Sequence, residues 1–138
     1  PAAILVGIQK ESPMPSKHLG ERLKILKFSE MRGGWFIGDF FPSAFRTSAC
    51  EVALKKHTKG EVCPSHYQKI ATEINFLIAG VMEMRIDTQF EESITKTLNA
   101  GDIFVIYQNE IATPTFLTDC TLIVVKTPSI PNDKVIVE

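Results

Sequence analysis

No stretch of this chain is apolar for long enough to cross a bilayer, and neither sign of charge is in excess. The run 2–8 is apolar, but a spanning helix needs roughly 20 residues. No basic segment precedes it as a secretory leader requires. It reads as a leading strand, and no membrane partner is expected. Basic residues number 15 and acidic residues 16, a formal net charge of −1. No overall field therefore recruits a polyanion, and nucleic acid is excluded as an expected partner. The pair Lys55-Lys56 reads as a solvated strand edge or turn. Cysteine is scarce: Cys50, Cys63 and Cys120 are odd in number and show no CxxC spacing. That pattern speaks against a disulfide framework and a closed zinc site, and fits a reducing, cytoplasmic compartment.

What is present suits one ordinary globular domain. The length is 138 residues, with 44% hydrophobic and 22% charged residues, enough for a single core. The segment 11–16 carries two prolines and two serines, which interrupt regular structure and mark a linker or arm. A short helix or an irregular arm follows over 18–28, closed by Gly33-Gly34. From residue 50 onward, short runs rich in Val, Ile, Phe and Thr alternate with turn residues, the mark of successive strands. Strands are predicted at 50–56, 62–68, 73–79, 81–87, 94–98, 102–107 and 121–127. Residues 1–45 are read as an N-terminal arm with leading strands, packed on a barrel formed by 46–138. Some strands are apolar on both faces: Ile74, Phe76 and Ile78 lie opposite Glu73, Asn75 and Leu77. A second sheet, the arm or another subunit must cover the outer face, so a homodimer is expected. The aromatics Trp35, Phe36, Phe40, Phe41 and Phe45 are assigned to core or dimer packing.

The chemistry concentrates between residues 60 and 80. His66 and Gln68 are two apart and share one face of a strand. If residues 69–72 turn the chain, Glu73 begins an antiparallel neighbour and its carboxylate faces the same cavity. An imidazole, an amide and a carboxylate then meet at one point. Asn75 and Tyr107 are further candidates for lining that cavity, with an amide and a phenol suited to hydroxyls or a carboxylate. His18 and His57 lie in polar segments and are expected to be solvated. Cys63 lies three residues before His66, an odd spacing that turns its thiol away from the imidazole on a strand. A Cys-His catalytic pair is therefore not expected there.

Gly60, His66, Gln68, Glu73 and Gly80 resemble the first motif of the cupin family in every spacing, with only the second histidine changed, here to Gln68. The resemblance implies an all-β fold: a single antiparallel cupin barrel, the double-stranded β-helix or jelly roll, with an N-terminal arm. It also implies a divalent metal (Mn, Fe, Ni or Zn) held by His66 and Glu73, with Gln68 as a weak oxygen ligand. The second cupin motif begins well at Gly101-Asp102, but Ala112 stands where its histidine ligand is expected. A cupin subgroup found in sugar-related gene neighbourhoods and in some phages is also similar, through 34–40, His66-Tyr67, Glu73-Ile74-Asn75 and 126–129. One imidazole and one carboxylate make a poor zinc site, whereas an amide oxygen suits a harder ion. Gln68 can alternatively bridge His66 and Glu73 by hydrogen bonds with no ion. Three functions follow: a cupin that binds a small polar molecule such as a sugar derivative, which is preferred; a metal-dependent isomerase or oxygenase; and a structural or interaction protein.

Overall fold

A computed structural model describes residues 23–137. The leading strand at 2–8, the linker at 11–16 and the first five residues of the candidate helix at 18–28 lie outside the described residues. Within them the end of that segment is irregular, with a single 3-10 turn at Phe28–Glu30. Eleven strands follow: β1 (Trp35–Gly38), β2 (Phe45–Arg46), β3 (Glu51–His57), β4 (His66–Gln68), β5 (Thr72–Ala79) and β6 (Val81–Asp87), then β7 (Ile94–Asn99), β8 (Ile103–Ile106), β9 (Ile111–Phe116), β10 (Cys120–Thr127) and β11 (Lys134–Ile136). They form two sheets, ordered β2-β1-β3-β10-β5-β8 and β11-β4-β9-β6-β7. All pairings are antiparallel except β1 with β2. Among the described residues no ladder joins the two sheets. The expected barrel is therefore a jelly-roll sandwich closed by side chains rather than by backbone hydrogen bonds.

The seven strands predicted from residue 50 onward are present; β1 falls within 1–45, where leading strands were expected without bounds, and β2, β9 and β11 were not foreseen. β9 contains Pro114, which cannot donate to a ladder and masks the strand in sequence. The proline is tolerated because, among the described residues, β4 pairs with β9 only at His66 and Ala112 and the rest of that edge carries no ladder. β4 is shorter than the predicted 62–68. Pro64 lacks an amide hydrogen, and Ser65 is tied instead to Thr113 through their hydroxyls at 2.6 Å. β1, β2 and β11 have at most four residues each, too few to show a period.

Alternation along the long strands sets the core. β10 runs buried and half-buried in turn, placing Cys120, Leu122, Val124 and Lys126 inward. Glu73, Asn75 and Leu77 face inward on β5, while Phe76 and Ile78 point out. Leu77 and Met82 are the largest fully buried side chains, each worth about 1.5–3 kcal/mol of removed apolar surface. The outer face is dressed only in part. Phe28 meets Phe36 edge-on at 6.3 Å, but Phe76, Ile78, Ile103 and Val105 remain exposed. The aromatic cluster does not act as one core unit either: Phe41 is 84% and Phe45 66% exposed, whereas Trp35 turns inward.

The connection after β4 differs from expectation in a way that decides the site. Glu73 does not sit on a neighbour of the strand bearing His66, because β4 and β5 belong to opposite sheets. Asp133, buried on the segment before β11, holds the turn between them. Its two carboxylate oxygens accept the amides of Ile70 and Ala71 at 2.9 and 2.8 Å, and its carbonyl accepts that of Lys69 at 3.1 Å. Satisfying three turn amides in this way sends the chain across the sandwich. Gly80 then reverses it from β5 into β6 at φ +99°, where a Cβ would lie 2.2 Å from the carbonyl oxygen of Asp119.

Candidate functional site

Between the sheets lies a cavity of about 230 Å³. The six-stranded sheet contributes Trp35, Lys55, His57, Glu73, Asn75 and Lys126 to its wall, and the other sheet contributes His66, Met82, Met84 and Lys134. Of the residues singled out in sequence, His66, Glu73 and Asn75 line this space. Asn75 donates to Glu73 through Nδ2 to Oε2 at 3.0 Å, two residues apart on one strand face. The carboxylate is thereby oriented by its own strand. His66 donates from Nδ1 to the Pro64 carbonyl at 3.3 Å, which leaves Nε2 as the free nitrogen.

Gln68 and Tyr107 stand elsewhere. Gln68 is 3% exposed, but its side chain is not part of the cavity wall, and neither its amide nitrogen nor its oxygen has a hydrogen-bond partner among the described residues. It does not bridge His66 to Glu73; Asn75 occupies the carboxylate instead. Tyr107 is 63% exposed because Ile106 before it points inward and alternation turns the phenol out. Its backbone amide caps the next turn by donating to Glu110 Oε1 at 2.6 Å.

Lysine was not anticipated in the site. Lys126, on β10, pairs in register with Glu73 on one side and Glu51 on the other. Its ammonium lies 3.8 Å from Glu51 Oε1 and 4.8 Å from the Trp35 ring centroid. Lys55 approaches the same ring at 5.3 Å and donates to the Gly33 carbonyl. Burial pulls the pKa of Lys126 down, opposed by Glu73 and Glu51. Burial also lowers that of Lys55, helped by the positive fields of Lys134 and Lys126. Three ammonium groups therefore share one confined field, with Glu73 the only carboxylate among the described residues of the cavity wall. The signal in sequence was parity alone: Lys126 continues the inward series Leu122, Val124, and Lys55 follows Ala53.

A metal of the kind the cupin motif implies does not fit the residues around His66. Ala112 is directly opposite it in register and is fully buried, so a methyl group takes the place of the missing imidazole. Two strong donors remain, fewer than the three of a typical catalytic site. Lys126 stands beside Glu73 in register, so a positive charge already lies in the field of that carboxylate. His66 itself is pushed toward the neutral imidazole by burial, with Glu73 opposing.

A different group comes together at one side of the cavity. His57, at the end of β3, has its Nδ1 2.6 Å from Glu61 Oε2, and its ring stacks on Phe116 with centroids 4.2 Å apart. The Cys63 sulfur lies 3.9 Å from that Nδ1 and 3.7 Å from Glu61 Oε2. His57 is thus partnered, not solvated, and Cys63 sits beside it because the chain from 61 to 65 is not a strand. His57 and Cys63 both border the cavity. These three residues are a possible metal-binding group, their ligand atoms all within 4.8 Å of one another. The hydrogen bond from His57 holds the Glu61 carboxyl below its ordinary pKa. Burial, reinforced by Glu61, raises the thiol pKa of Cys63.

This two-sheet architecture is shared with known structures. Oxalate decarboxylase from Bacillus subtilis matches with a TM-score of 0.61 at 14% identity, over 65% of this chain and 24% of that one. Another structure of that enzyme, described by its Mn(II) centers, matches at 0.59 and 14%, again over 65% and 24%. KdgF from Halomonas sp. matches at 0.53 and 21% identity, over 61% of this chain and 74% of that one. The chain thus spans about a quarter of the decarboxylase. No protein-family model matches the chain, and no curated protein does. The chain has the cupin fold.

Proposed function

We propose that the protein binds a small anionic metabolite, of the carboxylate or sugar-acid class, in the cavity between its sheets. The observation that carries this reading is the convergence of Lys55, Lys126 and Lys134 with His66 on a space whose wall holds one carboxylate among the described residues. Ammonium groups in a partly desolvated cleft attract an anion more strongly than they would in water. Trp35, Met82 and Met84 supply apolar walls, and Asn75 and Glu73 supply polar groups that fix orientation, as small-molecule pockets require. One structural neighbour is named for its action on oxalate, a dicarboxylate, which is compatible with the same fold hosting an anion. The poor donor set around His66 means that this role needs no metal at the cupin motif position.

Titration calorimetry against a panel of mono- and dicarboxylates, sugar acids and their neutral counterparts tests this. Acids are expected to bind and neutral sugars to bind at least about tenfold more weakly, the ratio of one desolvated charge contact. Lys126→Met is expected to weaken acid binding by about 30-fold or more. Equal affinity for neutral sugars, or no loss in that variant, would overturn the reading. The same reading includes a homodimer, supported by the adjacent exposed residues Phe76, Ile78, Ile103 and Val105 on paired strands β5 and β8. Light scattering on the eluted protein at micromolar concentration should give twice the 15.4 kDa chain mass; a monomer would remove that part.

A further inference from the structure

We propose that His57 Nδ1, Glu61 Oε2 and Cys63 Sγ form a binding site for a zinc-class divalent ion, separate from the cupin motif position and open toward the cavity on its remaining side.

The donor set is the first ground. Imidazole, carboxylate and thiolate are the ligands zinc takes, and three protein donors with one free position describe a catalytic-type site. Geometry is the second. Around tetrahedral zinc, with bonds of 2.0–2.3 Å, neighbouring donors are roughly 3.3–3.7 Å apart. The sulfur stands 3.7 Å from Glu61 Oε2 and 3.9 Å from His57 Nδ1. Only the 2.6 Å contact between His57 and Glu61 is shorter. It is a hydrogen bond whose shared proton an ion would replace, and the two atoms need to part by less than about 1 Å.

Orientation is the third ground, because groups that hold a ligand in place matter nearly as much as the ligand. The His57 ring lies flat against Phe116, 11° from parallel. Glu61 divides its oxygens: Oε1 accepts the Thr58 amide at 3.3 Å, leaving Oε2 for the site. The turn beneath is closed by the Glu61 amide on the Thr58 carbonyl at 3.0 Å, and the Gly60 amide binds the Phe116 carbonyl at 3.0 Å. The ligands thus come from the end of β3 and the loop after it, anchored to β9. The other two cysteines are not competitors: the Cys120 sulfur is buried against the Val81 carbonyl at 3.4 Å, and Cys50 lies at the other end of β3.

Because His57 and Cys63 border the cavity, the ion stands at its wall with a coordination position available to a carboxylate. That consequence rests on the anion-binding reading above; the ion site does not. The experiment therefore uses metal alone. Apo-protein is titrated with Zn²⁺ and with Co²⁺, and the cobalt form is read by absorption. One equivalent per chain is expected, with a near-ultraviolet thiolate-to-cobalt band. Cys63→Ser should abolish the band, and His57→Ala should weaken zinc by about 100-fold or more. Cys50→Ser and His66→Ala should leave both readouts unchanged. Circular dichroism of each variant verifies folding; where His57→Ala fails to fold, His57→Gln replaces it. Absence of stoichiometric binding, a band that survives Cys63→Ser, or binding lost in His66→Ala would each overturn the assignment.

Discussion

Two regions of one cavity differ in how they came to hold chemistry. Around His66 the motif spacing is kept and donors are lost: Ala112 faces the histidine in register and Lys126 stands beside Glu73. Around His57 no motif spacing exists, yet an imidazole, a carboxylate and a thiol stand within 4.8 Å. The comparison teaches that spacing records how a fold positions its strands, whereas binding depends on which atoms those strands present. A β-sandwich keeps its register after a ligand is replaced, because the register is held by backbone ladders and core side chains.

The difference can be broken by restoring what the first region lacks. Ala112→His, made in a Cys63→Ser background, is expected to raise Mn²⁺ or Zn²⁺ affinity on the order of 100-fold or more, since an imidazole opposite His66 in register gives three strong donors in place of two. Calorimetry in chelator-free buffer measures it, and an unchanged affinity would mean that these positions do not converge. A smaller effect separates the motif's structural half from its chemical half. Gly80→Ala should cost at least about 2 kcal/mol of stability, because a side chain at φ +99° also meets the Asp119 carbonyl. Urea unfolding reads this, and a loss below about 0.5 kcal/mol would sink the idea that the glycine is needed for that turn.

The smallest effect is on pH dependence. Burial lowers the pKa of His66 below its unfolded value of about 6.5. Between the folded and unfolded values the unfolded chain binds more protons, so stability from this group is full above about pH 6.5 and is lost as pH falls through the folded pKa. Glu73 opposes the shift. NMR titration of the His66 ring should show a midpoint lower than that of a model histidine, moving lower still in Glu73→Gln. A midpoint above the model value would contradict the burial argument.

Much of the architecture was legible beforehand. The alternation of Glu73, Asn75 and Leu77 with Ile74, Phe76 and Ile78 is a local property of an extended chain, and the glycines at 60 and 80 bracket it. Pro114 hid β9, because a residue that cannot donate argues against a strand unless its edge is known to be open. Gln68 was expected beside the ion because parity puts it on the face of His66. Parity does not say how far along a short strand the cavity extends, and at Gln68 the cavity has ended. Tyr107 failed for the complementary reason: the inward residue of that strand is Ile106.

By itself, then, the order of residues determined the strand periods, the glycine-marked turn at Gly80 and the inward face that carries His66, Glu73 and Asn75. These depend on neighbours within a few positions. Only the tertiary structure decided that β4 and β5 lie on opposite sheets, that Lys55, Lys126 and Lys134 share one cavity, and that His57, Glu61 and Cys63 meet beside Phe116. Each of those depends on Asp133, Phe116 or a partner strand far away in sequence, and no local period encodes such a meeting.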